Sequence, residues 1–243
     1  MRQVNIKKFH KKKNKKNDKD FYRLMVDSDP KGSYAEAIKS VRTNLQFSSV
    51  NKKMKVILVT SPESGDGKSM TSANLAVAYA QEGKRVLIID CDLRRGRQHK
   101  IFDVNRDNTS GYSDLILDYD KDIIYKNYIV KSGIKKLYIL TCGPTPPNPI
   151  ELLSSENNKN LLDELKSKFD IIILDCPPVV GLSDALVLSK YSDANIVVVS
   201  SKKTKMESLK ELKKAFEKVN STITGVILNN VKQSRKSYYY YGE

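Results

Sequence analysis

The stretch Val56-Ile57-Leu58-Val59-Thr60-Ser61-Pro62-Glu63-Ser64-Gly65-Asp66-Gly67-Lys68-Ser69 decides the fold of this chain. Its four leading apolar residues read as a strand buried on both faces. A small-residue helical pattern follows from Met70 to Gln81. Strand, glycine-bearing loop ending in Gly-Lys-Ser, then helix is the layout of a phosphate-cradling loop. Backbone N–H groups of such a loop and of the helix N-terminus point at anionic oxygens. Lys68 is placed to reach the β- and γ-phosphates, and the Ser69 hydroxyl to bind Mg²⁺. The expected nucleotide contacts are Ser64, Gly65, Asp66, Gly67, Lys68, Ser69 and Met70, with ATP and Mg²⁺ as ligands. The usual pattern begins with a glycine where this chain has Pro62.

Outward from the loop, strands alternate with helices. Val86–Asp90 and Ile171–Asp175 are further apolar strands, and Lys136–Thr141, Ile196–Ser201 and Ile223–Asn229 complete the set. Helices are expected at 33–47, 69–81 with Gly83 just beyond its end, 151–168 as one or two pieces, 185–190 and 207–219. Continuously apolar strands alternating with helices make parallel βαβ units. The expectation is a doubly wound α/β fold of the phosphate-loop NTPase type, its mostly parallel sheet flanked by helices. At 243 residues the chain supports one such core.

The formal net charge is +15, unevenly spread. Residues 1–20 carry nine basic side chains against Asp18 and Asp20, and like-charged blocks without an apolar face do not fold alone. The division expected is a disordered basic arm over 1–20, one domain over 21–231 and a flexible tyrosine-rich tail over 232–243. The arm suits anionic lipid, at about 1 kcal/mol per basic residue near such a surface. Nonspecific nucleic-acid contact and plain solubilisation suit it equally. No stretch approaches the roughly 20 apolar residues of a membrane span, and no secretory leader is evident, so a cytoplasmic protein is expected. Cys91, Cys142 and Cys176 form no C-x-x-C pair and read as reduced thiols.

In sheets of this kind ligands sit at the carboxyl ends of strands. The second strand ends there in Asp90-Cys91-Asp92-Leu93-Arg94. Carboxylates at i and i+2 project from one side of an extended chain. One can hold the metal while the other accepts a proton from an incoming hydroxyl, and Arg94 can neutralise developing phosphoryl charge. Asp175 ends its strand the same way and is the expected partner of Mg²⁺, before Pro177 and Pro178 stop the sheet. The expected catalytic set is Lys68, Asp90, Asp92 and Arg94, and the metal set Ser69, Asp90 and Asp175. Which of Asp90 and Asp92 is the base stays open. His99, after the arginines, reads as a surface or loop residue.

These three elements together resemble the bacterial tyrosine kinases. That family's phosphate loop also lacks the first glycine; its second motif is D-x-D-x-R on a strand end, and its third a strand ending in Asp. The resemblance covers roughly 33–243 and is nearest to the cytoplasmic kinase subunit of capsular or exopolysaccharide systems. It implies autophosphorylation of Tyr238, Tyr239, Tyr240 and Tyr241 between neighbouring subunits. It also implies a membrane-embedded activator acting through a cytosolic tail, a position at the inner face of the membrane, and a protein-tyrosine phosphatase as counterpart. The family's E-x-x-R-x-x-R helix, which joins subunits into a ring, is matched by Glu36, Lys39 and Arg42, with Lys39 in place of the first arginine.

Three other readings compete. A partitioning or positioning ATPase of the deviant phosphate-loop group carries an extra lysine at the position occupied here by Glu63. A nucleic-acid module is suggested by the basic charge, but its motifs are missing and no specific nucleic acid is expected. A GTPase needs N-K-x-D, which Asn229-Asn230-Val231-Lys232 does not match, so ATP is preferred. A eukaryotic-type kinase lacks its signatures here.

Overall fold

The computed structural model describes residues 24–48, 54–104, 110–120 and 127–232. The basic arm and the tyrosine cluster lie outside these. Nine α-helices and seven strands are described. They run α1 (Met25–Ser28), α2 (Ser33–Ser48), β1 (Val56–Thr60), α3 (Lys68–Gln81), β2 (Val86–Asp90), α4 (Gln98–Ile101) and α5 (Tyr112–Leu117). Then come β3 (Val130–Lys131), β4 (Leu137–Leu140), α6 (Pro149–Ser154), α7 (Glu156–Lys168), β5 (Ile171–Asp175), α8 (Asp184–Leu188), β6 (Ala194–Ser200), α9 (Met206–Lys218) and β7 (Gly225–Asn229).

The strands form one sheet in the order β3-β4-β2-β5-β1-β6-β7. Every pairing is parallel except β3 with β4. The doubly wound expectation holds. Each central strand divides its side chains between two cores. Val56 and Leu58 of β1 join Leu87 and Ile89 of β2 against α5 to α9. Ile57, Val59, Val86 and Ile88 face α1 to α4. Each such side chain taken fully out of water contributes about 1.5–3 kcal/mol, so the sheet is the rigid frame on which the loops at its carboxyl edge are mounted.

Strand and helix ends fall within two residues of the sequence expectation. The 151–168 helical stretch is two helices, because Ser155 breaks it and caps α7, its hydroxyl accepting from Asn158 N at 3.2 Å. Gly83 closes α3 with φ 91°, its N–H donating to the Ala80 carbonyl. Helices α1, α4 and α5 and the edge strand β3 were not expected. His99 is buried on α4, correcting its reading as a surface residue. All three cysteines are buried free thiols. Burial pushes the Cys91 and Cys176 thiols up, which keeps them unreactive.

Candidate active site

The loop between β1 and α3 is braced from within and from behind. Gly67 precedes α3 at φ 96°, a left-handed conformation that favours glycine. The Asp66 carboxylate turns inward: it accepts from Glu63 N at 2.9 Å and from Thr204 Oγ1 at 2.7 Å. Asp66 is fully buried, and these two contacts occupy its carboxylate. Asn229, at the end of β7, donates to the Asp66 carbonyl at 2.9 Å. The Lys203 ammonium donates to the Ser64 carbonyl. Glu63 accepts from Ser208 Oγ at 2.5 Å, and that bond is the main reason its carboxyl titrates below the usual range. The position that distinguishes the partitioning ATPases is thus a glutamate tied to α9. Behind the loop, Val179 N and Val180 N donate to the Ser61 and Pro62 carbonyls, so the chain after β5 runs along the loop despite its two prolines.

Lys68, Asp90, Asp92, Asp175 and Ser69 converge where these elements meet. Asp90 and Asp175 are in-register partners on β2 and β5, both fully buried. Their side chains point to the α3 side, while Cys91 and Cys176 pack in the opposite core. Lys68 Nζ lies 3.5 Å from Asp92 Oδ2, 3.7 Å from Asp175 Oδ1 and 3.3 Å from Ser69 Oγ. Ser72 Oγ donates to Asp175 Oδ1 at 3.3 Å. Asp90 and Asp92 do not share an extended face, which corrects the i, i+2 expectation. β2 ends at Asp90, and Asp92 N folds back to donate to Asp90 Oδ1 at 3.3 Å. Asp92 then turns to Lys68 and accepts from Arg95 N at 2.9 Å.

Burial, then the neighbouring Asp175 charge, pushes the Asp90 carboxyl up to about 7, against the pull of Gln98 N–H and Lys68. For Lys68, burial acts to lower the ammonium. Asp175, Asp92 and Asp90 outweigh it and leave the group above the ordinary lysine value. The result is a cation at the mouth of the loop, surrounded by carboxylates.

Two contacts were not legible beforehand. Arg94 is held by the carboxylate of Asp184, the fully buried first residue of α8. Gln98, the first residue of α4, is fully buried and bonded to Asp175 and to the phosphate loop. At the other end of the molecule, Lys39 pairs with Glu36 at 2.7 Å on the surface of α2. Arg42 leaves that pair and donates to the Ala78 carbonyl at 2.8 Å, so the three charges do not form one surface face. A polar cavity of about 310 Å³ beside Ser192, Asn195 and Thr224 lies at the amino ends of β6 and β7, away from this chemistry.

The donor set suits a hard divalent cation. Ser69 Oγ and the Asp90 and Asp175 carboxylates are all oxygen, and the thiols of Cys91 and Cys176 are packed away from them. Mg²⁺ retains waters and substrate phosphate oxygens, so the cage need not be complete in protein atoms. Among the described residues no group of three His, Cys, Asp or Glu side chains forms a metal site by itself.

The family described as an AAA domain matches residues 54–229. The tyrosine-protein kinase YwqD of Bacillus subtilis (strain 168) is 41% identical over 220 residues, which cover 90% of this chain and 91% of that protein. This chain belongs to the bacterial tyrosine kinases. It is a protein-tyrosine kinase built on an AAA-type nucleotide-binding fold. Two solved structures of similar proteins superpose on it. The chimerical protein CapA2B2 gives a TM-score of 0.81 at 37% identity, covering 86% of this chain and 90% of that one. The kinase domain of Escherichia coli tyrosine kinase ETK gives 0.81 at 29% identity, covering 91% and 85%. Among the described residues of the kinase no helix is long and apolar enough to cross a membrane.

Proposed function

We propose that this kinase takes ATP with Mg²⁺ on the loop 61–69 and passes the γ-phosphoryl group to tyrosines of its own C-terminal cluster, Tyr238–Tyr241. The contact of Lys68 with both Asp92 and Asp175 carries the reading, because it joins the phosphate-binding loop to the two acidic strand ends. Lys68 and the loop amides bind the phosphates. Ser69, Asp175 and Asp90 would hold Mg²⁺, which when bound offsets charge on the phosphate oxygens. Asp92, the more accessible of the paired aspartates, takes the proton of the attacking phenol, whose ordinary pKa near 10 makes it easier to remove than that of an aliphatic alcohol. Arg94, oriented by Asp184, steadies the transferring group.

The remaining parts of the reading rest on family resemblance. Neighbouring subunits associate through α2 around Glu36, Lys39 and Arg42 and exchange tails. A membrane-embedded activator docks through its cytosolic tail and holds the kinase at the inner face of the membrane. A protein-tyrosine phosphatase reverses the label, and the cycle regulates capsular or exopolysaccharide synthesis. Lys68→Met is expected to abolish phosphotransfer, and full tyrosine phosphorylation of that variant alone sinks the reading. Deleting 238–241 is expected to leave nucleotide binding intact and remove most self-phosphorylation. If the label persists, the tail is not the main acceptor.

A further inference from the structure

Gln98 belongs to no motif, yet it touches all three residues proposed to face the metal. Its side-chain Nε2 donates to Asp175 Oδ2 at 2.7 Å and to the Ser69 carbonyl at 3.1 Å. Its backbone N donates to Asp90 Oδ2 at 2.9 Å. Both partners of Nε2 are acceptors, so the orientation of the amide is fixed by chemistry. Oε1 is thereby fixed as well, and it is buried with no hydrogen-bond partner. The residue is fully buried, and leaving a buried acceptor of this kind unpaired is destabilising. A residue serving only to fill space would gain from an apolar side chain of the same length.

We infer that Gln98 is a positioning residue for the divalent cation. It locks the carboxylates of Asp90 and Asp175 against the start of α3, and its Oε1 is the acceptor for a water O–H of the hydrated metal. The inference rests on the reading of Ser69, Asp90 and Asp175 as the metal-facing groups. Oriented carboxylates are bound more tightly by a metal because they need no rearrangement, and removing such a supporting contact typically weakens metal affinity about 10–100-fold. The other buried side chains of the short helix α4 are His99 and Ile101, and Ile101 packs in the apolar core beside α3.

The test is a titration of the full chain with a fluorescent ADP analogue, first in EDTA and then across Mg²⁺ concentrations, for the natural protein and Gln98→Met. The variant is expected to bind the analogue within twofold of the natural protein in EDTA. It should require at least about tenfold more Mg²⁺ for half of the metal-dependent gain in affinity. A half-saturating Mg²⁺ concentration within twofold of the natural protein overturns the role of Gln98. So does an equal loss of affinity with and without metal, which marks a purely structural residue. If Gln98→Met does not fold, Gln98→Asn, which keeps the amide but shortens its reach, is judged by the same criteria. A natural protein whose ADP affinity ignores Mg²⁺ overturns the metal reading itself, a result distinct from an unmoved variant.

Discussion

Replacing Lys68 by Met perturbs the electrostatics of the site while keeping α3 and nearly the same side-chain volume. The substitution removes an ammonium within 4 Å of Asp92 and Asp175 and leaves the buried Asp90–Asp175 pair without that counter-charge. Asp90 already has a folded-state pKa of about 7, above its ordinary value near 4. Between those values the folded protein keeps a proton that the unfolded chain has lost. Stability therefore falls as pH rises through this window, and the loss is complete above about 7. Three units correspond to on the order of 4 kcal/mol. Lys68 pulls Asp90 down, so without it the acid titrates higher and the loss extends further up in pH. Lys68 itself, held above the ordinary lysine value, supplies stabilisation that is whole below about pH 10 and disappears only beyond it. Removing one member of a buried ion cluster costs about 3–5 kcal/mol while the others stay charged. The expected destabilisation by Lys68→Met is of that size at pH 8.5 and about half of it at pH 5.5, where Asp90 is protonated in both proteins. Urea unfolding in EDTA, without nucleotide, at the two pH values measures it. A difference that is the same within about 0.5 kcal/mol at both refutes the electrostatic account.

Gly67→Ala should destabilise by about 2–3 kcal/mol, from left-handed strain and the lost Asn229 bond, since its Cβ would fall 2.0 Å from Asn229 Nδ2. An unchanged melting temperature contradicts this. Asp184→Asn frees Arg94 and should lower kcat about tenfold or more with nucleotide affinity within twofold; normal turnover with weaker binding reverses the assignment. Thr204→Val leaves Asp66 Oδ1 without its hydroxyl partner and should cost about 1–3 kcal/mol by urea unfolding, with weaker ADP binding; unaltered ADP affinity shows that the brace does not shape the loop.

The central sheet was legible because a strand covered on both faces carries an unbroken apolar run, as Val86–Asp90 and Ile171–Asp175 do. The acidic strand ends were legible for the same reason: a carboxylate that ends such a run has to meet something at the sheet edge. Strand β3 has two residues and α4 four, too few for any period to register. Gln98 and Asp184 escaped notice because their partners are 77 and 90 positions away in sequence, Asp175 for one and Arg94 for the other. The contact of Arg42 was hidden because helical spacing sets a direction but not which neighbour is near. The Ala78 carbonyl of α3 captures it instead of Glu36.

The most direct measurement incubates the full chain with ATP and Mg²⁺ and locates phosphate by mass spectrometry, with Lys68→Met in parallel. Phosphotyrosine within 238–241 in the natural chain, and none in the variant, is the result expected. ATP hydrolysis with no phosphotyrosine anywhere in the chain contradicts the assignment of Asp92 and the tail to tyrosine phosphotransfer.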